Sequence, residues 1–504
     1  MTFKVKDPEK LVRKATIATL IFWVCWGLVL VVAQIKPFWV DEWRVIYNLK
    51  FKTAATIWGP LDFMQQFPRL YIEIIKAFSS LFDYSYFTLR LPSFLVGTGS
   101  IMLCYRLMTR IYPARHFNRF LFVMTLVSCG TFTEYFVQIK QYTMDIFLSL
   151  VAIWQLLELL DIGKAVKFTD RKYLLLCASC LIVPSFSYTY PVAIAPVFVV
   201  LMAQSLHLLR AGGITGSRRT LLLKWLPASL SIMGIAIFYI ADVSQLMHDE
   251  HMHGYWAHLM MGGGFSWSSF FLNIWNLFAE IGSGLFFWYI MGILGLASFI
   301  YSLRNSIRDM ANGNLSNASL LRLYSVVLLV LSIIMFALGK LPLGEPRFNV
   351  FAIPAISLLI INLLDNLQQK QPKALAISAL LYAGVIGNIY TTFIASVTGP
   401  EYAKKMQIYR STEDAIVVAQ ARNLPILITP DVAYPYDKTQ NLPYDNTVPG
   451  DWVLKTFPAY KVAKNIPVYP ISNIGMVREV FKKLPPHIKT VMIGDGQSYN
   501  ITSR

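Results

Sequence analysis

Charge is scarce in this chain. Asp, Glu, Lys and Arg make up 14% of its 504 residues and apolar residues 55%, where soluble domains carry about 25% charged residues. With a mean hydropathy of +0.50, that deficit excludes an ordinary soluble domain and predicts a polytopic membrane protein. Cysteine is sparse too. Cys25, Cys104, Cys129, Cys177 and Cys180 all fall inside predicted spans, so no extracytoplasmic disulfide framework is expected. The Cys177-x-x-Cys180 pair lies on an apolar helix with no accompanying histidine and reads as packing. Internal repeats and low-complexity tracts are absent.

What is abundant is long apolar sequence. Runs recur at roughly 15–35, 88–108, 119–134, 141–160, 172–190, 191–210, 224–243, 284–303, 321–339, 348–364 and 374–396. Each approaches the ~20 residues that cross about 30 Å of hydrocarbon as a helix. About eleven transmembrane helices are therefore expected, with the first retained as an anchor. The pair around PSFSYTYP (184–191) fits either two crossings or one re-entrant segment.

Basic residues outnumber acidic ones, 45 to 28, for a formal charge of +17. They crowd the short segments near 4–14, 106–119, 164–172, 210–224, 304–322 and 370–373. The outer connections between 134 and 347 hold only Lys140, Lys340 and Arg347. The excess is thus a topology signal, with a cytoplasmic N-terminus, and not a nucleic-acid footprint. In a bacterium this would be the plasma or inner membrane.

An odd number of crossings places the stretch after about 398 outside the cytoplasm. Its short apolar runs at 426–429, 465–471 and 490–494, with NIGMVREVFKKL between the last two, predict a small α/β domain. The expected division is a membrane domain over 1–398 and an extracytoplasmic domain over 399–504. The first outer loop (36–87) is long and carries two amphipathic stretches, DEWRVIYNLKF and PRLYIEIIKAFSSLF, which fit helices lying in the membrane interface.

Asp41 and Glu42 open that loop. Adjacent acids where a span meets water suggest chemistry at the membrane surface. They fit equally the first turn of an interfacial helix, where acids complement the dipole. Lys140, Gln141, Tyr142 and Asp145 form a polar stripe entering the fourth span, and a structural tie between Asp145 and a Lys or Arg is the plainer reading. Lys340 and Arg347 flank the entry to the tenth span, at the depth of a lipid phosphate. Snorkelling anchors, or an Arg347–Glu345 pair, account for them as well. His251 and His253, in the run HDEHMH, leave three readings open: ligands of a divalent metal, sugar or phosphate contacts, or solvated loop residues. Gly262-Gly263-Gly264 nearby fits close backbone approach or a mobile lid.

Four segments carry a resemblance: Asp41-Glu42, FPRLYIEIIKAF (67–78), YFVQIKQYTMD (135–145) and GEPRFNVFAIPAI (344–356). Together they resemble the GT-C superfamily of membrane glycosyltransferases, in the branch of protein O-mannosyltransferases and the lipid A aminoarabinose transferase. The likeness covers the layout of roughly 1–400. It implies an inverting transferase that moves a sugar from a polyprenyl-phosphate carrier to an acceptor hydroxyl on a lipid, glycan or protein at the outer membrane face. It assigns the base to Asp41, with Glu42 orienting the acceptor or sharing the proton. Substrate contacts fall to Arg69, Tyr71, Lys140, Tyr142, Asp145, Lys340 and Arg347. The chain departs from the branch where Lys-Pro-Pro-Leu becomes Phe67-Pro68-Arg69-Leu70, and where Phe348 replaces the Tyr that commonly follows the Arg.

A lipid or sugar transporter, or flippase, is the principal rival. Such proteins place polar groups near the bilayer midplane, often in two matching halves. Here Asp41, Glu42, Arg69, Lys140, Asp145, Lys340 and Arg347 all map to the outer boundary, and no duplicated half is visible. A polysaccharide polymerase or ligase would use a large Arg-rich outer loop, whereas 243–283 contains no Lys or Arg.

Overall fold

The computed structural model describes residues 8–32, 40–113, 115–127, 129–160, 170–210, 218–240, 266–279, 285–313, 315–370, 400–428, 452–470, 480–482, 489–493 and 499–503, with Phe38 and Leu484. In chain order the helices begin with α1 (Pro8–Val32), α2 (Val40–Phe51), α3 (Arg69–Ser80) and α4 (Tyr86–Ile111). Next come α5 (His116–Val127), α6 (Gly130–Tyr135), α7 (Tyr142–Leu160), α8 (Arg171–Ile182), α9 (Tyr190–Arg210) and α10 (Arg218–Phe238). They continue with α11 (Trp267–Ala279), α12 (Leu285–Ala311), α13 (Asn317–Ala337), α14 (Ile353–Lys370), α15 (Pro400–Arg422) and α16 (Trp452–Thr456). Four strands lie in the tail: β1 (Ile426–Ile428), β2 (Val468–Pro470), β3 (Lys489–Ile493) and β4 (Tyr499–Ser503).

Two compact units emerge. The first comprises Met1–Cys25, Leu95–Phe136 and Gln141–Thr392; the second comprises Trp26–Phe94, Val137–Lys140 and Phe393–Arg504. The tail therefore shares a unit with the first outer loop.

Among the described residues, 7 helices are long and apolar enough to cross a membrane: α1, α4, α7, α9, α12, α13, and α14 with the turn before it. Their outward residues are apolar, as lipid requires: Ile21 and Phe22 of α1 are 59% and 56% exposed. Three other predicted spans appear as shorter pieces. The run at 119–134 divides between α5 and α6, and the run at 172–190 becomes α8 and a 3-10 turn at Val183–Ser185 before α9. Helix α8, with 12 residues, rises only about 18 Å, well short of the hydrocarbon thickness. The apolar stretch of α10, Ala228–Phe238, is short as well. The predicted span at 374–396 and the histidines His251 and His253 lie outside the described residues.

In the membrane unit small residues and buried hydroxyls let helices close on one another. A Cβ on Gly97 would meet the Phe136 ring at 2.5 Å. Ser149 of α7 donates to the Phe351 carbonyl at 2.7 Å, and Tyr324 of α13 to the Ala193 carbonyl of α9 at 3.0 Å. Each bond satisfies a carbonyl that lipid cannot.

In the second unit α2 and α3 are amphipathic. Helix α3 buries Arg69, Tyr71, Ile72, Ile75 and Ser79 along one stripe. The connection between them is pinned to α2: Asn48 Nδ2 donates to the Asp62 carbonyl at 3.2 Å, and Asp62 N–H donates to Asn48 Oδ1 at 2.8 Å. The tail sheet has the order β2-β1-β3-β4, with β1 parallel to β2 and β3, and β4 antiparallel to β3. Helix α15 stops at Asn423 (φ 53), where the Leu424 N–H reaches back to the Ala419 carbonyl at 2.8 Å. This is the left-handed cap that Asn tolerates. Leu427, Val480 and Leu484 form a small core with Tyr469 and Met492, as the predicted α/β domain requires.

Candidate active site

Asp41 stands in the first turn of α2 with its side chain 17% exposed. Two cations face it at long range: Lys140 Nζ lies 3.5 Å from Oδ2, and Arg44 Nη1 lies 3.5 Å from Oδ1. Lys140 is itself buried, and its ammonium donates to Gln65 Oε1 at 2.9 Å. One lysine thus bridges the loop after α2 and the carboxylate at the head of α2.

Glu42, the adjacent acid, is held quite differently. It is fully buried; Oε2 accepts from Arg90 Nη2 at 2.9 Å, and Oε1 accepts the Ile139 N–H at 2.9 Å. Arg90 packs against the rings of Phe38 and Tyr86, at 4.6 and 4.5 Å from their centroids, and also donates to the Tyr86 hydroxyl. The two acids that adjoin in sequence therefore do different work. Glu42 cross-links α2, α4 and the 137–140 turn, while Asp41 keeps partial access to solvent.

Arg69 begins α3 directly after Pro68 and is buried. Proline at that point fixes an extended backbone ahead of the helix. Tyr71, two residues on, is also buried, stacked on Phe67 at 5.6 Å, with its hydroxyl 3.2 Å from Ser93 Oγ. Ser93 in turn donates to the Lys140 carbonyl at 3.4 Å, tying α3, α4 and the turn that carries Lys140.

The membrane unit holds the remaining predicted residues. Tyr142 opens α7, packed on Tyr135 at 4.4 Å and against the edge of Phe348 at 6.4 Å. Arg347 lies over the Phe348 ring at 5.5 Å, and its Nε is 3.0 Å from Glu345. Burial pushes the Tyr135 phenol well above its ordinary pKa, with the neighbouring Tyr142 adding to the rise and Arg347 opposing it. Lys340 is exposed just beyond α13. There Gly339 (φ 66) allows the Lys340 N–H to reach the Met335 carbonyl at 2.8 Å and stops the helix. Asp145 is buried, and the partners seen are hydroxyls, those of Ser187 and Thr189, in place of the cation expected from the sequence.

Arg90, Gln65 and Tyr135 were not singled out by sequence. Arg90 carried a readable signal, a guanidinium at the mouth of the span LRLPSFLVGTG that needs a partner. Nothing marked Gln65. Among the described residues no group of three or more His, Cys, Asp or Glu comes together as a metal site.

No family model matches the chain, and comparison with curated proteins finds no match. Among solved structures, the chain resembles ArnT from Cupriavidus metallidurans bound to undecaprenyl phosphate, with a TM-score of 0.51 and 14% identity over 95% of this chain and 92% of that one. The apo state of the same protein gives 0.45 at 12% identity, covering 95% and 93%. Archaeal oligosaccharyltransferase AglB from Archaeoglobus fulgidus, in complex with an inhibitory peptide and a dolichol-phosphate, gives 0.44 at 13% identity, covering 92% and 65%. The likeness to undecaprenyl-phosphate-bound ArnT is one of fold, and that fold is in keeping with the one the sequence resemblance implies.

Proposed function

We propose that this chain is a membrane glycosyltransferase that moves a sugar from a polyprenyl-phosphate carrier to an acceptor hydroxyl at the outer face of the membrane. The observation that carries the reading is the unequal treatment of the two acids. Glu42 has both oxygens committed to Arg90 and the Ile139 N–H inside the fold, whereas the Asp41 side chain is 17% exposed, with Arg44 and Lys140 each 3.5 Å away. A general base must be ionised and within reach of the proton it takes. Asp41, with two cations at 3.5 Å and a partly exposed side chain, is the acid to which that role is assigned.

In the proposed reaction the acceptor oxygen attacks the anomeric carbon as its proton passes to Asp41. The bond from that carbon to the phosphate oxygen breaks, and the carrier leaves as a lipid phosphate. Attack opposite the leaving group inverts the anomeric configuration. Negative charge grows on the phosphate as the bond breaks, so fixed cations lower the barrier. Arg347 is assigned to that phosphate because its planar fork suits phosphate oxygens and Glu345 and Phe348 hold its orientation. Tyr135 and Tyr142 offer aromatic faces and hydroxyls for the sugar, and Lys340 a further cation.

The test uses the purified full chain in lipid nanodiscs with a panel of undecaprenyl-phosphate-linked sugars, following release of undecaprenyl phosphate. Release by the wild-type chain and its loss in Asp41→Asn are expected. Equal turnover by the two proteins would remove the assignment of the base. A wild-type chain that neither releases nor binds undecaprenyl phosphate would remove the reaction.

A further inference from the structure

The tail places a stack of aromatic rings on α2 that the transfer reaction does not use. Phe457, just after α16, stacks on Trp43 with 4.5 Å between centroids and on Tyr409 of α15 with 5.3 Å. Tyr409 also stacks on Trp43 at 6.1 Å and meets Phe38 edge-on at 6.2 Å. All four rings are at most 5% exposed. Two turns further along α2, Lys50 Nζ donates to the carbonyls of Phe457 at 2.6 Å and Tyr460 at 3.0 Å. Trp43 and Lys50 are seven residues apart, so they lie on one face of the helix. The turn from Phe457 to Tyr460 therefore grips that face at both ends, with a ring at one end and two carbonyls at the other.

A helix of 12 residues is marginal by itself, so packing sets its orientation. Side-chain tips sit about 5 Å from a helix axis, so turning α2 by about 20° would carry the Asp41 carboxylate about 2 Å. A displacement of about 1 Å in a reacting group costs on the order of a hundredfold in rate.

We infer that the tail turn Phe457–Tyr460 is a positioning device that fixes the rotation of α2, and with it the direction of Asp41 and the burial of Glu42. The inference rests on the reading of Asp41 as the base. Phe457 and Lys50 touch no reacting atom; they act through Trp43 and the helix. The extracytoplasmic domain thereby acquires a part in the reaction of the outer loop.

The experiment compares the wild-type full chain in nanodiscs with Phe457→Ala, Phe457→Tyr and Lys50→Met. Labelling by a water-soluble carbodiimide and glycine ethyl ester, read by peptide mass spectrometry, reports access to Glu42. Turnover is read with the undecaprenyl-phosphate-linked sugar that the wild-type chain uses fastest. In Phe457→Ala, Glu42 labelling should rise about tenfold and kcat fall about tenfold while the donor KM stays within about twofold. Phe457→Tyr should restore both, and Lys50→Met should move both in the same direction as Phe457→Ala. Unchanged Glu42 labelling in Phe457→Ala and Lys50→Met overturns the inference, whatever happens to turnover. Raised labelling with a wild-type kcat also overturns it, provided Asp41→Asn is inactive. Raised labelling together with an active Asp41→Asn leaves the clamp standing and removes the base instead. Should Phe457→Ala fail to fold, Phe457→Leu keeps most of the volume, loses the ring and carries the same test.

Discussion

Arg90 and Glu42 form an ion pair with no exposed side-chain surface on either partner, Nη2 lying 2.9 Å from Oε2. Removing one partner of such a pair leaves an uncompensated charge in a medium that cannot solvate it. Breaking a buried pair costs about 3–5 kcal/mol, most of it the penalty on the survivor. Glu42→Gln and Arg90→Met should each lower the unfolding temperature strongly. The double variant, with no stranded charge, should fall by much less than the sum. Additive shifts in that cycle would show that the two residues do not depend on each other.

Asp41 should behave in the opposite way. Its contact with Arg44 is 3.5 Å long between two partly exposed side chains, and such pairs contribute about 0–1 kcal/mol; the buried Lys140 ammonium keeps its bond to Gln65 when the carboxylate becomes an amide. Asp41→Asn should leave the unfolding temperature unchanged and lower kcat by about 10²–10⁴, the range for loss of a general base. A large drop in thermal stability with residual activity would mark Asp41 as a structural acid like its neighbour.

The contrast between these neighbours marks how far sequence carries. Hydropathy displayed the polytopic class, and the short runs at 426–429, 465–471 and 490–494 displayed the α/β tail, because both depend on local pattern. Asp41 and Glu42 were legible as a pair but not as two roles, since their difference comes from Arg90 and the Ile139 N–H, 48 and 97 positions away. Arg90 was readable as a charge at a span mouth; its packing against Phe38 and Tyr86 was not. For α8 and α5, apolar length alone overstated helix length, because hydropathy does not register a break such as the 3-10 turn at Val183–Ser185. The hydroxyl partners of Asp145 went unread for a related reason: Ser187 and Thr189 belong to that same break and are ordinary in sequence.

Arg347 offers a test of geometry against charge. Its guanidinium lies over Phe348 and beside Glu345, which fixes the plane of the fork. If it grips the carrier phosphate, Arg347→Ala should raise the donor KM or lower kcat/KM by about tenfold or more. Arg347→Lys should recover little, because an ammonium keeps the charge but loses the bidentate geometry. Titrating the donor against the three proteins measures both effects. Identical donor dependence in Arg347→Ala would make this arginine an interface anchor.

Lys50 gives the fold a dependence on pH. Burial of its ammonium lowers its pKa from 10.5 to about 7, with Lys461 pushing the same way and Glu413 opposing. Between those values the unfolded chain binds a proton at Lys50 that the folded chain has largely lost. Folding is therefore favoured as pH rises from about 7 toward 10, and this contribution is lost as pH falls through 7. The unfolding temperature of the wild-type chain, measured from about pH 5 to about pH 9, should rise relative to that of Lys50→Met, which has no proton to release. The two curves should separate above pH 7 and run parallel below pH 6. Parallel curves over the whole range would mean that Lys50 keeps its charge when folded, with the Phe457 and Tyr460 carbonyls replacing the water it gave up.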